Sequence, residues 1–251
     1  DTWAYNDMWN VDPEGVYLSG FHSNYLNPST TFAYGSGKIY KISENGSVAS
    51  LEYDTGHGSW LGSIAISADN PQRIYCGTYD GLIFTLNGGE TWLSLLELND
   101  AGEIGWVPDV LINPTNSDEV WLLSRDFGPF RSLDGGSTWE SVTLPIFDVM
   151  GRTLRFSSQD QSVLFGSWWN GVWKFDGSSW SEKNEGLVHQ IIHHISVTED
   201  MNIWAGNPRH SISKSNDNGL SWNSYNVGME SLLSSSVSVH PEGDHAIVST
   251  Y

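Results

Sequence analysis

The chain has 251 residues, enough for one large all-β domain. Thirty acidic against eleven basic residues give a formal charge of −19, a surface that repels phosphate backbones and anionic lipid and so argues against nucleic-acid or membrane-surface ligands. Cys76 is the single cysteine, which excludes an intrachain disulfide, and no run of about 18 apolar residues offers a membrane-spanning helix.

Along the chain, short apolar runs alternate with Gly, Asn, Asp and Ser turns. Thirteen Trp and ten Tyr favour twisted sheets over helices. Innermost strands are expected at Trp9–Asp12, Ile64–Ser67, Val110–Asn113, Leu154–Phe156, Ile195–Val197 and Val237–Val239. The strands that follow them begin at Val16, Ile74, Val120, Val163, Ile203 and Ala246, in steps of 58, 46, 43, 40 and 43 residues. The long first step reads as an insertion of about fifteen residues around Phe21 to Gly35. Helix-period stretches are nearly absent, the best being Leu187 to His193.

A third strand follows in each unit and leads into a recurring turn. Ser132-Leu133-Asp134-Gly135-Gly136-Ser137-Thr138-Trp139 is its best copy, beside Thr85–Trp92 (with Asn87, Gly89 and Trp92) and Ser215–Trp222 (with Asp217, Gly219 and Trp222). Lys174–Trp180, with Asp176 and Trp180, is one residue short, and Ile42–Val48 has lost the Trp. Each fixed position has a physical role. The Asp or Asn accepts from backbone N–H groups, Gly136 and its equivalents supply a positive φ, and the Trp starts the outgoing strand with an indole N–H in need of an acceptor.

Four strands with short turns, repeated at about forty residues, are the signature of a β-propeller blade. The expected blades are about 8–54, 62–99, 108–145, 152–187, 193–229 and 234–251, forming one domain over 1–251 with the sixth blade stopping after its second strand. An open blade leaves unpaired backbone groups, so six or seven blades are expected in the intact molecule, closed by residues beyond Tyr251 or before Asp1. Starting at Asp1 rather than Met fits a mature secreted protein or an excerpt of a longer one.

The recurring turn resembles the Asp-box, or BNR repeat, of sialidases, family 74 xyloglucan hydrolases, sortilin-type receptors and a photosystem assembly factor. The resemblance implies that the turns face away from any ligand. Ligands would then meet the opposite end, formed by the loops between second and third strands and those between blades. There lie Trp60, Tyr79, Trp106, Arg125, Trp168, Trp169, Arg209 and His210, together with the segment Phe21 to Gly37. Aromatic faces with Asp, Asn and Arg suit sugar rings, which stack through C–H faces and hydrogen-bond through hydroxyls.

A glycosidase needs two carboxylates about 5 to 10 Å apart. Asp80 and Asp126, at equivalent turns of adjacent blades, are the candidate pair. They match the Thr-Asp-x-Gly-Gly setting of family 74 only loosely, and that family's cleft also uses a second propeller. The sialidase Phe/Tyr-Arg-Ile-Pro motif is absent, and only Arg125 and Arg209 fall clearly in the loops, while Arg152 and Arg155 sit at an innermost strand and could also point into the channel. His189–His193 has zinc-protease outer spacing, but Gln190 stands where the general base belongs. His193 and His194 read as structural. Asn216–Gly219 resembles a calcium loop faintly and is accounted for by the turn.

These observations predict no metal and no cofactor. The expected function is a secreted or cell-surface recognition module for a carbohydrate or protein ligand. The alternatives are a glycoside hydrolase using a carboxylate pair, or a scaffold unit of a larger extracellular assembly.

Overall fold

Three segments, Ile74–Thr78, Val163–Ser167 and Ile203–Asn207, are apolar or small throughout and buried at every position. Such strands must be covered on both faces, and each is the second strand of a four-stranded sheet. The computed structural model describes residues 20–24, 27–42, 49–54, 60–95, 104–157, 159–208, 211–226, 234–239 and 246–250. Within them lie five four-stranded antiparallel sheets and one two-stranded sheet, the arrangement of a β-propeller.

Blade 1 contains β1 (Gly20–Asn24), β2 (Asn27–Gly35), β3 (Lys38–Ile42) and β4 (Ala49–Asp54). Blade 2 contains β5 (Leu61–Ile66), β6 (Ile74–Thr78), β7 (Gly81–Thr85) and β8 (Leu93–Leu95). Blade 3 follows with β9 (Asp109–Asn113), β10 (Asn116–Ser124), β11 (Gly128–Ser132) and β12 (Glu140–Ser141). Blade 4 has β13 (Gly151–Phe156), β14 (Val163–Ser167), β15 (Val172–Phe175) and β16 (Trp180–Glu182). Blade 5 has β17 (His194–Val197), β18 (Ile203–Asn207), β19 (Ser211–Ser215) and β20 (Asn223–Ser224), and β21 (Ser234–Val239) pairs with β22 (Ala246–Thr250). The innermost strands β1, β5, β9, β13, β17 and β21 touch in that order around the centre.

The core lies between blades, not within them. Tyr75, Leu82, Val107, Leu122 and Trp139 form one layer between blades 2 and 3. Trp121, Leu123, Leu154, Phe165 and Phe175 fill the next. Close approach is built in with glycine: a Cβ on Gly77 would lie 2.2 Å from the Val107 carbonyl, and one on Gly166 would lie 2.8 Å from Ile192 Cγ2. These glycines let the segment entering the next blade cross directly over the strand.

The first blade corrects the sequence reading. Phe21 to Gly37 is not a loop insertion, because β1 and β2 occupy most of it and pair antiparallel from Gly20↔Tyr34 to Ser23↔Thr31, with a register shift before Asn24↔Asn27. Ser36 and Gly37, with φ of 47° and 77°, turn the chain from β2 into β3 as a two-residue hairpin. Thr31, paired with Ile42, stands 43 residues before Ile74, so the period is regular from the start. The strands expected at Trp9–Asp12 and from Val16 lie outside the described residues, as does most of the faint turn Ile42–Val48.

The recurring turns form as their residues predict. Asp134 Oδ1 accepts from Ser132 Oγ (2.8 Å) and Thr138 N (2.8 Å), Oδ2 accepts from Thr138 Oγ1 (2.6 Å), and Ser132 Oγ accepts from Gly136 N (2.8 Å). Asn87 and Asp217 repeat the pattern with Thr91 N (3.0 Å) and Ser221 N (2.8 Å), while Thr85 and Ser215 hydroxyls receive Gly89 N and Gly219 N. The shortened copy compensates locally, with Asp176 accepting from Ser178 N (2.9 Å) and Ser179 N (2.8 Å). Trp180 and Trp222 donate to Val142 O (3.0 Å) and Lys183 O (2.7 Å) of the preceding blade, and Trp139 donates to Gly136 O (3.0 Å). The expectation fails at Trp92, whose buried indole nitrogen has no partner.

Candidate functional site

The second strands of blades 2, 3 and 4 end in Thr78, Ser124 and Ser167, and each hydroxyl accepts a turn N–H: Asp80 N at 3.2 Å, Phe127 N at 3.1 Å and Asn170 N at 2.6 Å. These hydroxyls fix the turns of the loop face. The next residue in each blade, Tyr79, Arg125 or Trp168, donates its backbone N–H to the incoming linker at Trp60 O (3.0 Å), Trp106 O (2.9 Å) or Met150 O (3.0 Å). Strand end and linker are thereby joined at three equivalent stations.

The side chains at these stations meet across blades. Trp60 packs edge-on against Trp106 with ring centroids 5.4 Å apart, and Tyr79 lies 6.5 Å from Trp106 at an interplanar angle of 24°. The guanidinium carbons of Arg125 and Arg152 stand 5.2 and 5.3 Å from the Trp106 centroid. Arg152 also lies 4.3 Å from the Trp168 centroid. Trp168 in turn contacts Trp169 (6.0 Å) and His193 (4.6 Å). Trp60, Tyr79, Trp106, Arg125, Trp168 and Trp169, six of the predicted loop-face residues, thus form one arc over blades 2 to 4. Arg209 and His210 lie outside the described residues.

Arg152 and His193 complete the arc. Gly151 pairs with Ser167 and Thr153 with Gly166, so Arg152 is the extra residue of a bulge. A bulge re-aims its side chain, here over Trp106 and Trp168.

Electrostatics set the centre of the arc apart. The ion pairs among described residues are Arg73–Asp118, Arg131–Glu140, Arg155–Asp109 and Lys174–Asp160, and none includes Arg125 or Arg152. Burial and then the neighbouring Arg125 lower the pKa of Arg152. Trp106 Nε1, Arg125 Nε and His193 Nε2 are buried without a hydrogen-bond partner. Around this centre Trp60, Tyr79, Phe127 and Trp169 are each more than half exposed, and Phe147 is 99% exposed.

Beneath the arc, a polar cluster joins the innermost strands. Asp109 accepts from Ser63 Oγ (2.6 Å), Leu154 N (2.9 Å) and Arg155 Nη1 (2.9 Å). Burial, then Arg155, hold His194 down to about 4 against a partial opposing pull from Asp109. Burial, then Arg152 and His194, hold His193 at about 4.

These depressed pKa values fix a stability profile. Above the ordinary histidine value of 6.5 neither folded nor unfolded chain protonates these groups, and between 6.5 and about 4 only the unfolded chain does. Stability therefore falls as pH drops through that window. The turn carboxylates Asp134, Asp176 and Asp217 are held at about 2 by their hydrogen bonds, so their contribution is present above the ordinary 3.8 and is lost from there down to about 2. Urea midpoints measured against pH will decline in both windows. Changing His193 and His194 together to Gln will flatten the upper one and leave the lower.

Asp80 and Asp126 sit at equivalent turn tips of blades 2 and 3, both exposed. Among the described residues neither carboxylate accepts a hydrogen bond or pairs with a cation. No group of three His, Cys, Asp or Glu suited to a metal occurs among the described residues. The oxygens of Asp217 are occupied by Ser215 and Ser221, so the Asn216–Gly219 loop serves as a turn. A groove of about 500 Å³ on the outer flank is lined by Arg131, Glu140, Phe175 and Trp180, none of them among the predicted ligand residues except as a turn Trp.

No protein-family model matches the sequence, and no curated protein matches it. Solved structures do. An ancestral GH74 enzyme superposes with a TM-score of 0.78 at 17% identity, covering 93% of this chain and 35% of that one. The GH74 xyloglucanase from Xanthomonas campestris gives 0.73 at 14% identity, covering 93% of this chain and 43% of that one. YCF48 bound to D1 peptide gives 0.68 at 13% identity, covering 90% and 73%. The chain therefore spans well under half the length of the GH74 structures it matches. At these identities the likeness establishes the β-propeller fold and nothing further.

Proposed function

We infer that this chain is an extracellular recognition module, built on Asp-box turns, that binds a protein segment or a carbohydrate chain on the loop face of blades 2 to 4. The observation that carries this reading is the continuous arc from Trp60 to Trp169, in which aromatic rings and cations are held by backbone bonds rather than by a hydrophobic core. Propellers of similar fold include GH74 enzymes and one described as bound to a D1 peptide, which is compatible with either ligand class.

The test is an array of glycans and peptides probed with the wild type, a Trp60→Ala/Trp169→Ala double variant, and Asp134→Ala. Ligands found on the array should lose at least about tenfold in affinity with the double variant, because exposed aromatic anchors carry a large share of recognition energy. Asp134→Ala should lower the thermal midpoint and leave binding intact at temperatures where it remains folded. Equal binding by wild type and double variant, or its loss only in folded Asp134→Ala, would place recognition elsewhere.

The second reading is a glycoside hydrolase using Asp80 and Asp126, favoured by their equivalent turns on adjacent blades and by the GH74-like fold. Product analysis on the bound glycans, with Asp80→Asn and Asp126→Asn as controls, decides it. Turnover abolished by either change supports the enzyme, and binding without turnover removes it.

A further inference from the structure

Arg125 and Arg152 come from neighbouring blades and share one indole, Trp106, with their guanidinium carbons 5.2 and 5.3 Å from its centroid. In a chain carrying thirty acidic residues, the other described arginines, Arg73, Arg131 and Arg155, are each paired with a carboxylate. Among the described residues these two have no carboxylate partner, although Arg152 is only part-exposed and the Arg125 Nε is buried without a hydrogen bond. Two like charges held together and partly stripped of water are costly unless something neutralises them. Contact with the Trp rings holds them there by cation–π attraction, while their Nη groups make no hydrogen bond among the described residues.

The same contacts argue against a sugar at the centre. Arg152 lies 4.3 Å from the Trp168 centroid and both arginines lie over Trp106, so a sugar ring stacking on either indole would have to compete with a guanidinium. What the centre offers instead is donors, the two guanidiniums, above a Trp106 Nε1 that is buried without a partner. Its surroundings are apolar and exposed, namely Trp60, Tyr79, Phe127 and Trp169. A planar anion flanked by apolar groups fits both features.

Resting on the loop-face reading above, we propose that Arg125 and Arg152 form a carboxylate-binding subsite for a peptide ligand, whose neighbouring apolar side chains pack on Trp60, Tyr79, Phe127 and Trp169. The carboxylate is the peptide's C-terminus or an acidic side chain. Planar guanidinium groups match it through paired N–H donors. With a net charge of −19 on the chain, this local cationic pair also confines anion capture to one place.

The probes are hippurate for a C-terminal carboxylate, N-acetylglutamate α-amide for a side-chain carboxylate, hippuramide as the neutral control, and glucuronate and inorganic phosphate as competing anion classes. Binding is read by tryptophan fluorescence and by the ¹⁵N resonances of arginine Nε. The expected result is saturable binding of hippurate or the acetylglutamate amide at a dissociation constant on the order of 1 mM, typical of so small a ligand. Whichever of the two binds tighter identifies the source of the carboxylate. Hippuramide should bind at least about tenfold more weakly, and Arg125→Gln and Arg152→Gln should each cost about tenfold or more, as loss of a charge-assisted hydrogen bond requires. Arg131→Gln, on the outer flank, should change nothing. Circular dichroism of the two Gln variants separates lost binding from lost folding, and the perturbed Nε resonance in the wild type reads the subsite without any substitution.

Absence of carboxylate binding, equal binding of hippuramide, or unchanged affinity in folded Arg125→Gln and Arg152→Gln would overturn the proposal. Tighter binding of glucuronate or phosphate would overturn the peptide assignment. None of these results touches the array test, so a loop face that binds neutral ligands would survive the loss of this subsite.

Discussion

Asp109→Ala should destabilise the fold by about 3 kcal/mol, the low end for breaking a buried ion pair from one side. Asp109 is 6% exposed and ties together the innermost strands of three blades. One oxygen accepts from Ser63 of β5 at 2.6 Å and the other from the backbone of Leu154 and the guanidinium of Arg155, both of β13, at 2.9 Å. Removing the carboxylate leaves the Leu154 N–H without its acceptor and the Arg155 charge without its counter-ion, with only the Leu154 carbonyl at 2.6 Å to receive that guanidinium, and it takes the short acceptor away from the Ser63 hydroxyl. The Arg155 side chain is 35% exposed, so water screens part of that charge, which sets the estimate at the lower bound. Asp109→Asn will not rescue it, since one carboxamide nitrogen would face donors. An Asp109→Ala/Arg155→Met double variant should recover most of the loss, because the uncompensated charge goes with its partner. Equilibrium urea unfolding of the three variants checks this, and additive losses in the double variant would rule out the pair as a unit.

Trp121→Ala should cost about 4 kcal/mol, from the transfer term plus the cavity left in a close-packed layer. Trp121 is 1% exposed and fills the space between blades 3 and 4. Its ring meets Phe175 edge-on at 5.5 Å and Trp180 at 6.5 Å, Arg131 lies over it at 5.6 Å, and its indole N–H donates to Glu119 at 2.9 Å. Trp60→Ala is the informative contrast. Trp60 is 54% exposed, and its removal should change stability by no more than about 0.5 kcal/mol. Chemical denaturation separates the two sites. Comparable losses at both would mean that the arc serves the fold, and would remove the reason to treat its rings as a recognition surface.

The blade architecture was legible because one turn recurs with fixed chemistry. An Asp or Asn that accepts its own backbone and a Trp that enters the next strand leave a period visible without any knowledge of contacts. Blade 1 was misread for a local reason: Tyr34-Gly35-Ser36-Gly37 looks like loop composition, whereas Gly35 ends a strand and Ser36 and Gly37 form a two-residue turn. The predicted arc residues were legible because the positions after each second strand can be counted from the repeat. Arg152 could only be placed as one of two arginines able to reach the channel, because a bulge breaks the strand alternation that aims side chains. His193 was read as structural. It lies beneath Trp168, a contact between a linker and a turn that spacing does not reveal. Asp109 stands one residue before the innermost strand expected at Val110–Asn113, with nothing in the neighbouring sequence to mark its role. Its partners Ser63 and Arg155 stand 46 residues away on either side, one blade period in each direction, and only the packing of neighbouring innermost strands brings them together.

Among possible measurements, titration of the wild type and the Trp60→Ala/Trp169→Ala variant with the strongest ligand from the glycan and peptide arrays bears most directly on the loop face as the recognition surface. The expected result is a loss of at least about tenfold in affinity at unchanged stability, because both rings are exposed and anchor ligand rather than core. Undiminished affinity in a folded double variant would contradict it.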